Sequence, residues 1–241
     1  MLLAVDIGNS RVKTAVFENT SLIEYFVFEK ADAEKYFQKI FQKYPKITDV
    51  IQSSVANELF FDLPNHVLQH KIDHHWDFPF QNEYETPATL GIDRMVLAAG
   101  AVLKYPSQNR LVIDAGTCIT YDICNQNDVY LGGAISPGLK LRYDALHNFT
   151  AKLPLLTVSD PASAIGSSTA GSIHSGVVNG VVHEINGFIA QYAEKHSNFI
   201  IILTGGDTDF LADRVKYTIF ANSNFLLESL NHIFQYKFKN D

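Results

Sequence analysis

The sequence predicts an α/β protein built by duplication, each copy a mixed sheet with helices on its faces. Three observations carry that prediction. An apolar run, Leu2-Leu3-Ala4-Val5, leads into Asp6-Ile7-Gly8-Asn9-Ser10, and the same design returns as Ile113-Asp114-Ala115-Gly116-Thr117. Each copy continues into an alternating stretch, Val12, Thr14 and Val16 in the first and Ile119, Tyr121 and Ile123 in the second, which is the period-two signature of a strand. After each set of strands, helical spacing alternates with single apolar runs, the order expected of α/β folds.

Taken in order, residues 2–17 form a strand pair around the first turn, and a third strand follows at 22–28. Ala33, Tyr36, Phe37, Ile40, Phe41 and Tyr44 then recur at helical spacing and stop before Pro45. Residues 49–55 read as a buried strand and 66–72 as another. From Arg94 to Leu103 the chain is almost continuously apolar and alanine-rich, which predicts a helix buried inside the molecule. Tyr105-Pro106-Ser107-Gln108-Asn109 is a polar break, dividing a domain at 1–107 from one at 108–241.

In the second half, strands are expected at 110–115, 117–124 and 129–135. Pro137 suits the first turn of a helix reaching about His147. A loop at 159–168 precedes a helix that carries Ile173, Val177, Val178, Val181, Val182, Ile185, Phe188, Ile189 and Tyr192 on one broad face. That face is wider than one side of a small sheet needs, and it predicts a second partner, a symmetry mate. Residues 199–203 form a central strand ending in Thr204-Gly205-Gly206-Asp207, and a last helix spans about 224–236.

The 241 residues, 46% hydrophobic and 19% charged, are ordinary for a soluble globular chain. No stretch approaches the roughly 20 apolar residues of a membrane span, and Asp6 interrupts the N-terminal apolar run, so no secretory leader is expected. Cys118 and Cys124 lie together in one strand, which argues against a disulfide framework and for a reducing cytoplasm. A net charge of −7 argues against a nucleic-acid binder, which would show a basic stripe. Lys13, Arg94 and Arg142 are isolated bases, as suits a small anionic ligand.

Four constellations could carry chemistry. In Asp6, Gly8, Asn9, Ser10 and Lys13, glycine opens the backbone, the small polar side chains add donors, and an aspartate at the strand end can hold a hydrated Mg²⁺. Two such turns resemble a clamp on a polyphosphate, although Asp-x-Gly is also a common plain turn. Asp93, in Thr86-Pro87-Ala88-Thr89-Leu90-Gly91-Ile92-Asp93-Arg94, begins the long apolar helix. It reads as a helix cap or as a base that takes a proton from an alcohol. Asp114, Gly116, Thr117 and Thr120 stand before Gly132-Gly133-Ala134-Ile135-Ser136-Pro137-Gly138, where glycines imply close backbone packing or a ligand. Thr204-Gly205-Gly206-Asp207 ends a central strand, where open α/β sheets admit ligands. His70, His74 and His75 lack the spacing of a metal site, and the acidic, glycine-lined turns disfavour a two-metal nuclease.

Together these segments, in this order, resemble the type III pantothenate kinase family, and the likeness extends through Thr204-Gly205-Gly206-Asp207 and residues 224–230. The resemblance implies two ribonuclease H-like domains of the actin-like ATPase kind facing a cleft, and a reaction that converts ATP and pantothenate to 4′-phosphopantothenate. It assigns Asp6, Ile7, Gly8, Asn9, Ser10, Arg11, Val12, Lys13 and Thr117 to ATP. Asp93 is implied as catalytic base, Asp114 as ligand of a monovalent cation (K⁺ or NH₄⁺), and Asp6 as a water-mediated holder of Mg²⁺. Tyr84, Gly91, Ile92, Asp93, Arg94 and Thr169 match pantothenate-binding positions. Thr169 sits in Gly166-Ser167-Ser168-Thr169-Ala170, which follows the family pattern only loosely. The family is dimeric, with the pantothenate pocket completed across the interface. The alternatives at this point are another small-molecule kinase of the superfamily and a non-catalytic nucleotide-binding regulator.

Overall fold

The computed structural model describes residues 1–8, 11–54, 61–196 and 199–238. The chain divides into two units, one of Met1–Pro106, Asp128–Tyr130 and Asn224–Asp241, the other of Ser107–Asn127 and Leu131–Ser223.

In the first unit, β1 (Leu2–Ile7) and β2 (Arg11–Glu18) form an antiparallel hairpin, and β3 (Ser21–Glu29) extends it on the β2 side. Helix α1 (Ala33–Lys43) buries Ala33, Phe37 and Ile40, one stripe at helical spacing, and ends at Tyr44, where the following proline disfavours further helix. Strand β4 (Asp49–Ser54) runs parallel to β1 on its other side, and β5 (Leu68–Lys71) runs parallel to β4, so the order is β3-β2-β1-β4-β5. Val55, expected to close β4, lies outside the described residues. Alternation puts Leu3, Val5 and Ile7 into a core with Val12, Val16, Phe28, Phe37 and Ile40. Asp6 therefore lies on the opposite sheet face.

The short strand β6 (Gln81–Asn82) pairs with Val129–Tyr130, all of them residues of the first unit. Helix α2 (Ile92–Lys104) buries Ile92 and every residue from Arg94 to Val102, the enclosed helix that composition predicts.

The second unit repeats the plan. Strands β7 (Asn109–Ala115) and β8 (Cys118–Cys124) form the hairpin, and β9 (Val129–Pro137) follows on the β8 side. Pro137 ends a strand instead of opening a helix. Helix α3 (Leu139–Asn148) starts two residues later, after Gly138 has donated its N–H to the Thr117 carbonyl at 3.0 Å. The long apolar helix is α4 (Thr169–His174), a π-helical segment at Ser175–Asn179, and α5 (Gly180–Ala193). Strand β10 (Phe199–Thr204) runs parallel to β7. After α6 (Thr208–Ala212), β11 (Phe220–Ala221) runs parallel to β10. The order β9-β8-β7-β10-β11 matches the first unit strand for strand.

Val181, Ile185 and Ile189 of α5 pack with Val177 and Val178 on Leu111, Ile113, Tyr121 and Leu203. Ile173 is buried in the same core, while Val182, Phe188 and Tyr192 are half-buried against it. The apolar breadth of this helix is thus largely consumed inside its own unit. Large exposed apolar side chains occur instead at Ile135, Phe149, Leu155 and Ile165.

The last helix, α7 (Phe225–Phe238), belongs to the first unit, not to the second half that precedes it. It packs on α2, β1 and β4.

Candidate active site

The two sheets carry the same device at the same place. In the first unit, Asp6 is the penultimate residue of β1, with Lys13 as its cross-strand partner on β2 and Ser53 as its partner on β4. Register partners project from the same face, so Lys13, Asp6 and Ser53 form one row across three strands. Ser53 Oγ donates to Asp6 Oδ1 at 3.4 Å. The Asp6 carboxyl is pushed up to about 6. Burial is the main cause, the charge of Asp93 adds to it, and Lys13 and the Ser53 hydroxyl act in the opposite direction. Tyr25 on β3 feels the same charge: its hydroxyl is raised first by burial and then by Asp6.

The turn after Asp6 closes through the Gly8 N–H and the Arg11 carbonyl at 3.1 Å. Asn9 and Ser10, expected at the phosphates, lie outside the described residues. Ile7 and Val12 bury their side chains in the core. Arg11 turns to Glu29, its Nε donating to Oε1 at 3.1 Å.

In the second unit, Asp114 is the penultimate residue of β7, with Thr120 opposite on β8 and Thr204 opposite on β10. Gly116 closes this turn with its N–H on the Cys118 carbonyl at 2.9 Å, leaving Thr117 exposed at its tip. Two glycines from distant segments hold the turn. A methyl at Gly138 would collide with the carbonyls of Gly116 and Thr117. Gly205, at a φ of 99° that favours glycine, leaves no room for one against the Ala115 carbonyl and Asp114 Oδ1. The Asp207 N–H donates to Ala115 O at 3.0 Å, and burial raises the Asp207 carboxyl. The third and fourth constellations of the sequence are therefore one site.

Asp93 stands in the first turn of α2, but Gly91 holds the N-cap position and makes no side-chain cap bond. Asp93 Oδ1 accepts the Arg94 N–H at 2.9 Å and folds back over Gly91, where a methyl would collide with it. The buried Arg94 guanidinium lies over the Tyr84 ring at 5.7 Å. His74 occupies a turn and pairs through Nε2 with the Leu90 carbonyl at 2.9 Å, supporting the loop before Gly91. Tyr84, Gly91, Ile92, Asp93 and Arg94 thus gather at one end of α2.

Thr169, first residue of α4, lines a different feature, a groove of about 1060 Å³ in the second unit. Arg142 lines it too, donating to Pro137 O at 2.8 Å, to Ser136 Oγ at 2.9 Å and to Glu184. Burial works to raise the Glu184 carboxyl, but hydrogen bonds from Arg142, Ser136 and Tyr121 outweigh it and hold the group below its usual range.

Sequence reasoning missed Ser53 and Tyr25. The signal for Ser53 was Gln52-Ser53-Ser54, a polar end to an apolar parallel strand, where such sheets meet their ligands.

Do these residues suit metal ions? Asp6 can join a Mg²⁺–phosphate assembly, since such ions take one or two carboxylates and phosphate oxygens. At Asp114 the observation is an orphaned atom. Thr120 Oγ1 is enclosed, has no hydrogen-bond partner among the described residues, and shares a face with a carboxylate. An oxygen so placed suits a cation.

Repeated strand order, paired Asp-x-Gly turns and a carboxylate at each central strand end define a duplicated actin-like ATPase fold of the sugar-kinase kind. A solved protein from Sinorhizobium meliloti, described as a 2-dehydro-3-deoxygalactonokinase, shares that fold. Its TM-score is 0.62 at 12% identity, over 99% of this chain and 100% of that one. A family model described as type III pantothenate kinase matches residues 2–191. Type III pantothenate kinases of Flavobacterium johnsoniae and Flavobacterium psychrophilum are 61% and 54% identical, covering 100% and 98% of this chain and 100% of each relative. The chain belongs to the type III pantothenate kinase family.

The buried Asp6 charge predicts a stability cost. Its folded-state carboxyl titrates near 6 instead of 3.8, so the folded chain holds that proton more tightly than the unfolded one. The resulting stabilisation is complete below the unfolded pKa and is lost as pH rises through the folded one. Ligand-free Asp6→Asn protein should therefore melt several degrees above the parent at mildly alkaline pH, and the gap should close toward pH 4. A gap of constant size across that range would mean that the charge is not its source.

Proposed function

We propose that this chain transfers the γ-phosphoryl group of ATP to the primary hydroxyl of pantothenate, giving 4′-phosphopantothenate and ADP, the first step toward coenzyme A. Family membership supports the reaction. The observation that carries the mechanism is Asp93, at the start of α2, near enough to Asp6 for its charge to raise that carboxyl.

In this reading Asp93 takes the hydroxyl proton as the pantothenate oxygen bonds to γ-phosphorus and the bond to the bridging oxygen of ADP breaks. No covalent enzyme intermediate is required. The first turn, Asp6 to Lys13 including Asn9 and Ser10, receives phosphates, through backbone alone at Ile7 and Val12, and Thr117 serves from the second turn. Tyr84, Gly91, Ile92, Arg94 and Thr169 take pantothenate. Lys13 offsets phosphate charge, and Mg²⁺ near Asp6 together with K⁺ or NH₄⁺ near Asp114 would supply further positive charge. The Arg94–Tyr84 stack keeps the guanidinium in a fixed orientation beside Asp93.

Purified protein with Mg²⁺ and K⁺ should phosphorylate pantothenate, and Asp93→Asn should reduce turnover by about 10²- to 10⁴-fold with an unchanged melting profile. Turnover within a few-fold of the parent would leave Asp93 a structural residue. ATP consumption with a sugar but not with pantothenate would replace the acceptor.

The working form in this proposal is a homodimer. Phe149 and Ile165 are 87% and 83% exposed, and Ile135 and Leu155 are also open to solvent. Apolar surface of this kind suits a second copy. Sedimentation should return twice the 26.9 kDa chain mass, and the double substitution Phe149→Asp, Ile165→Asp should yield poorly active monomers. A fully active sample at the single-chain mass would exclude the dimer.

A further inference from the structure

The second turn is held from outside by Gly138, and that contact limits how the neighbouring helix can begin. Gly138 donates its N–H to the Thr117 carbonyl at 3.0 Å, and a methyl there would collide with the carbonyls of Gly116 and Thr117. The same residue holds the N-cap position of α3. Helix starts are normally fixed by a Ser, Thr, Asp or Asn side chain at that position, and the contact with the turn excludes each of them. Glycine makes no side-chain cap bond and restrains the backbone least of all residues. The segment that presses on the turn is therefore the one whose own conformation its residues fix least.

Arg142, one turn into α3, supplies the missing restraint. Its side chain folds back toward the helix start, as long helical side chains do. Nε donates to the Pro137 carbonyl at 2.8 Å and Nη2 to Ser136 Oγ at 2.9 Å, so one guanidinium grips both residues that precede Gly138. Nη2 also pairs with Glu184 of α5, and Glu184 Oε1 accepts the Tyr121 hydroxyl at 2.9 Å. Tyr121 is fully buried on β8, the strand that leaves the turn. The links close a circuit inside the second unit, from Thr117 through β8, Tyr121, Glu184, Arg142, Pro137 and Gly138 back to Thr117. Charge-assisted bonds are stronger than neutral ones, and here they refer both sides of the Gly138–Thr117 contact to one strand.

We infer that Arg142 is a positioning residue for the second turn, fixing Ser136-Pro137-Gly138 and through them Thr117, without touching the nucleotide itself. The purpose of the turn rests on the phosphoryl-transfer reading, but its placement can be measured apart from turnover. Arg142 also lines the groove that holds Thr169, so direct contact with the acceptor is the competing role. The two roles differ in which ligand a variant loses. Lysine is a poor substitute, because a single ammonium does not reproduce the planar fork that meets Pro137 O, Ser136 Oγ and Glu184 together.

The test uses the whole chain with Arg142→Met, which keeps the apolar stem and removes the guanidinium, and Arg142→Lys, which keeps the charge and removes the fork. Calorimetry gives the affinity for ADP with Mg²⁺, kinetics gives KM for ATP and for pantothenate, and hydrogen exchange reports the Gly138 amide. In Arg142→Met, Gly138 exchange should quicken and ADP affinity should fall, each about tenfold or more, with KM for ATP rising in step and KM for pantothenate within about twofold of the parent. Arg142→Lys should lie between the two. Parent-like ADP affinity in a folded Arg142→Met protein would overturn the inference, as would weaker ADP binding with unchanged Gly138 exchange. A rise in KM for pantothenate alone would make Arg142 a residue of the groove instead. Should Arg142→Met not fold, Arg142→Lys decides by itself, and parent-like values of both ADP affinity and Gly138 exchange would sink the proposal. A parent that binds ADP but never phosphorylates pantothenate would overturn the functional reading, while the ADP affinities of the variants would still settle the role of Arg142.

Discussion

The constraint on which both units depend is a carboxylate at the C-terminal end of a central strand, with its neighbours on either flank set by hydrogen-bond register. A strand alternates its side chains, so burying Leu3, Val5 and Ile7 obliges Asp6 to face the other way, and burying Ile113 and Ala115 does the same to Asp114. The hairpin and the parallel neighbour then deliver one further side chain each to the same row. The core thus aims the chemistry, and a one-residue slip of any of these strands would turn its polar member into the core.

Holding the turns still requires different means in the two units. In the second, backbone lies against backbone: Gly138 and Gly205 come so close to residues 114–117 that neither has room for a methyl group. In the first, the hairpin closes on its own hydrogen bond, and the N-terminal end of α2 is steadied by Arg94 over Tyr84 and by His74 on Leu90. The electrostatic consequence is a buried carboxyl on Asp6 whose ionised form is disfavoured until positive charge arrives. On the proposed reading, a cation arriving together with phosphate would relieve that desolvation.

Much of this was legible in the residues. Asp-x-Gly after an apolar run located both hairpins, and the alanine-rich run after Asp93 announced an enclosed helix. Other features were hidden for physical reasons. An apolar stripe shows that residues 225–238 form a helix but not which sheet they cover, and α7 covers the first. The breadth of the 173–192 face suggested an interface, yet most of it meets its own sheet, with a π-helical segment inserted along the way. That Thr204-Gly205 lies against Asp114, and that Thr120 is the counterpart of Lys13, are facts of register, which periodicity alone does not specify. Pro137 fits a helix start as well as a strand end, and the close approach of Gly138 to Thr117 decides for the strand.

The return of α7 to the first unit has a consequence for how the chain is made. Strands β1 to β5 leave the ribosome early, but the helix that packs on β1 and β4 beside α2 is synthesised only after the whole second unit. Until then the sheet that bears Asp6 has one face without its cover, and contacts of such long sequence separation close slowly. The second unit, continuous but for three residues, can assemble during synthesis, so the later-made half is placed to fold first. The order of folding would then run opposite to the order of translation, and the Asp93-bearing half would become whole only once synthesis has passed α7.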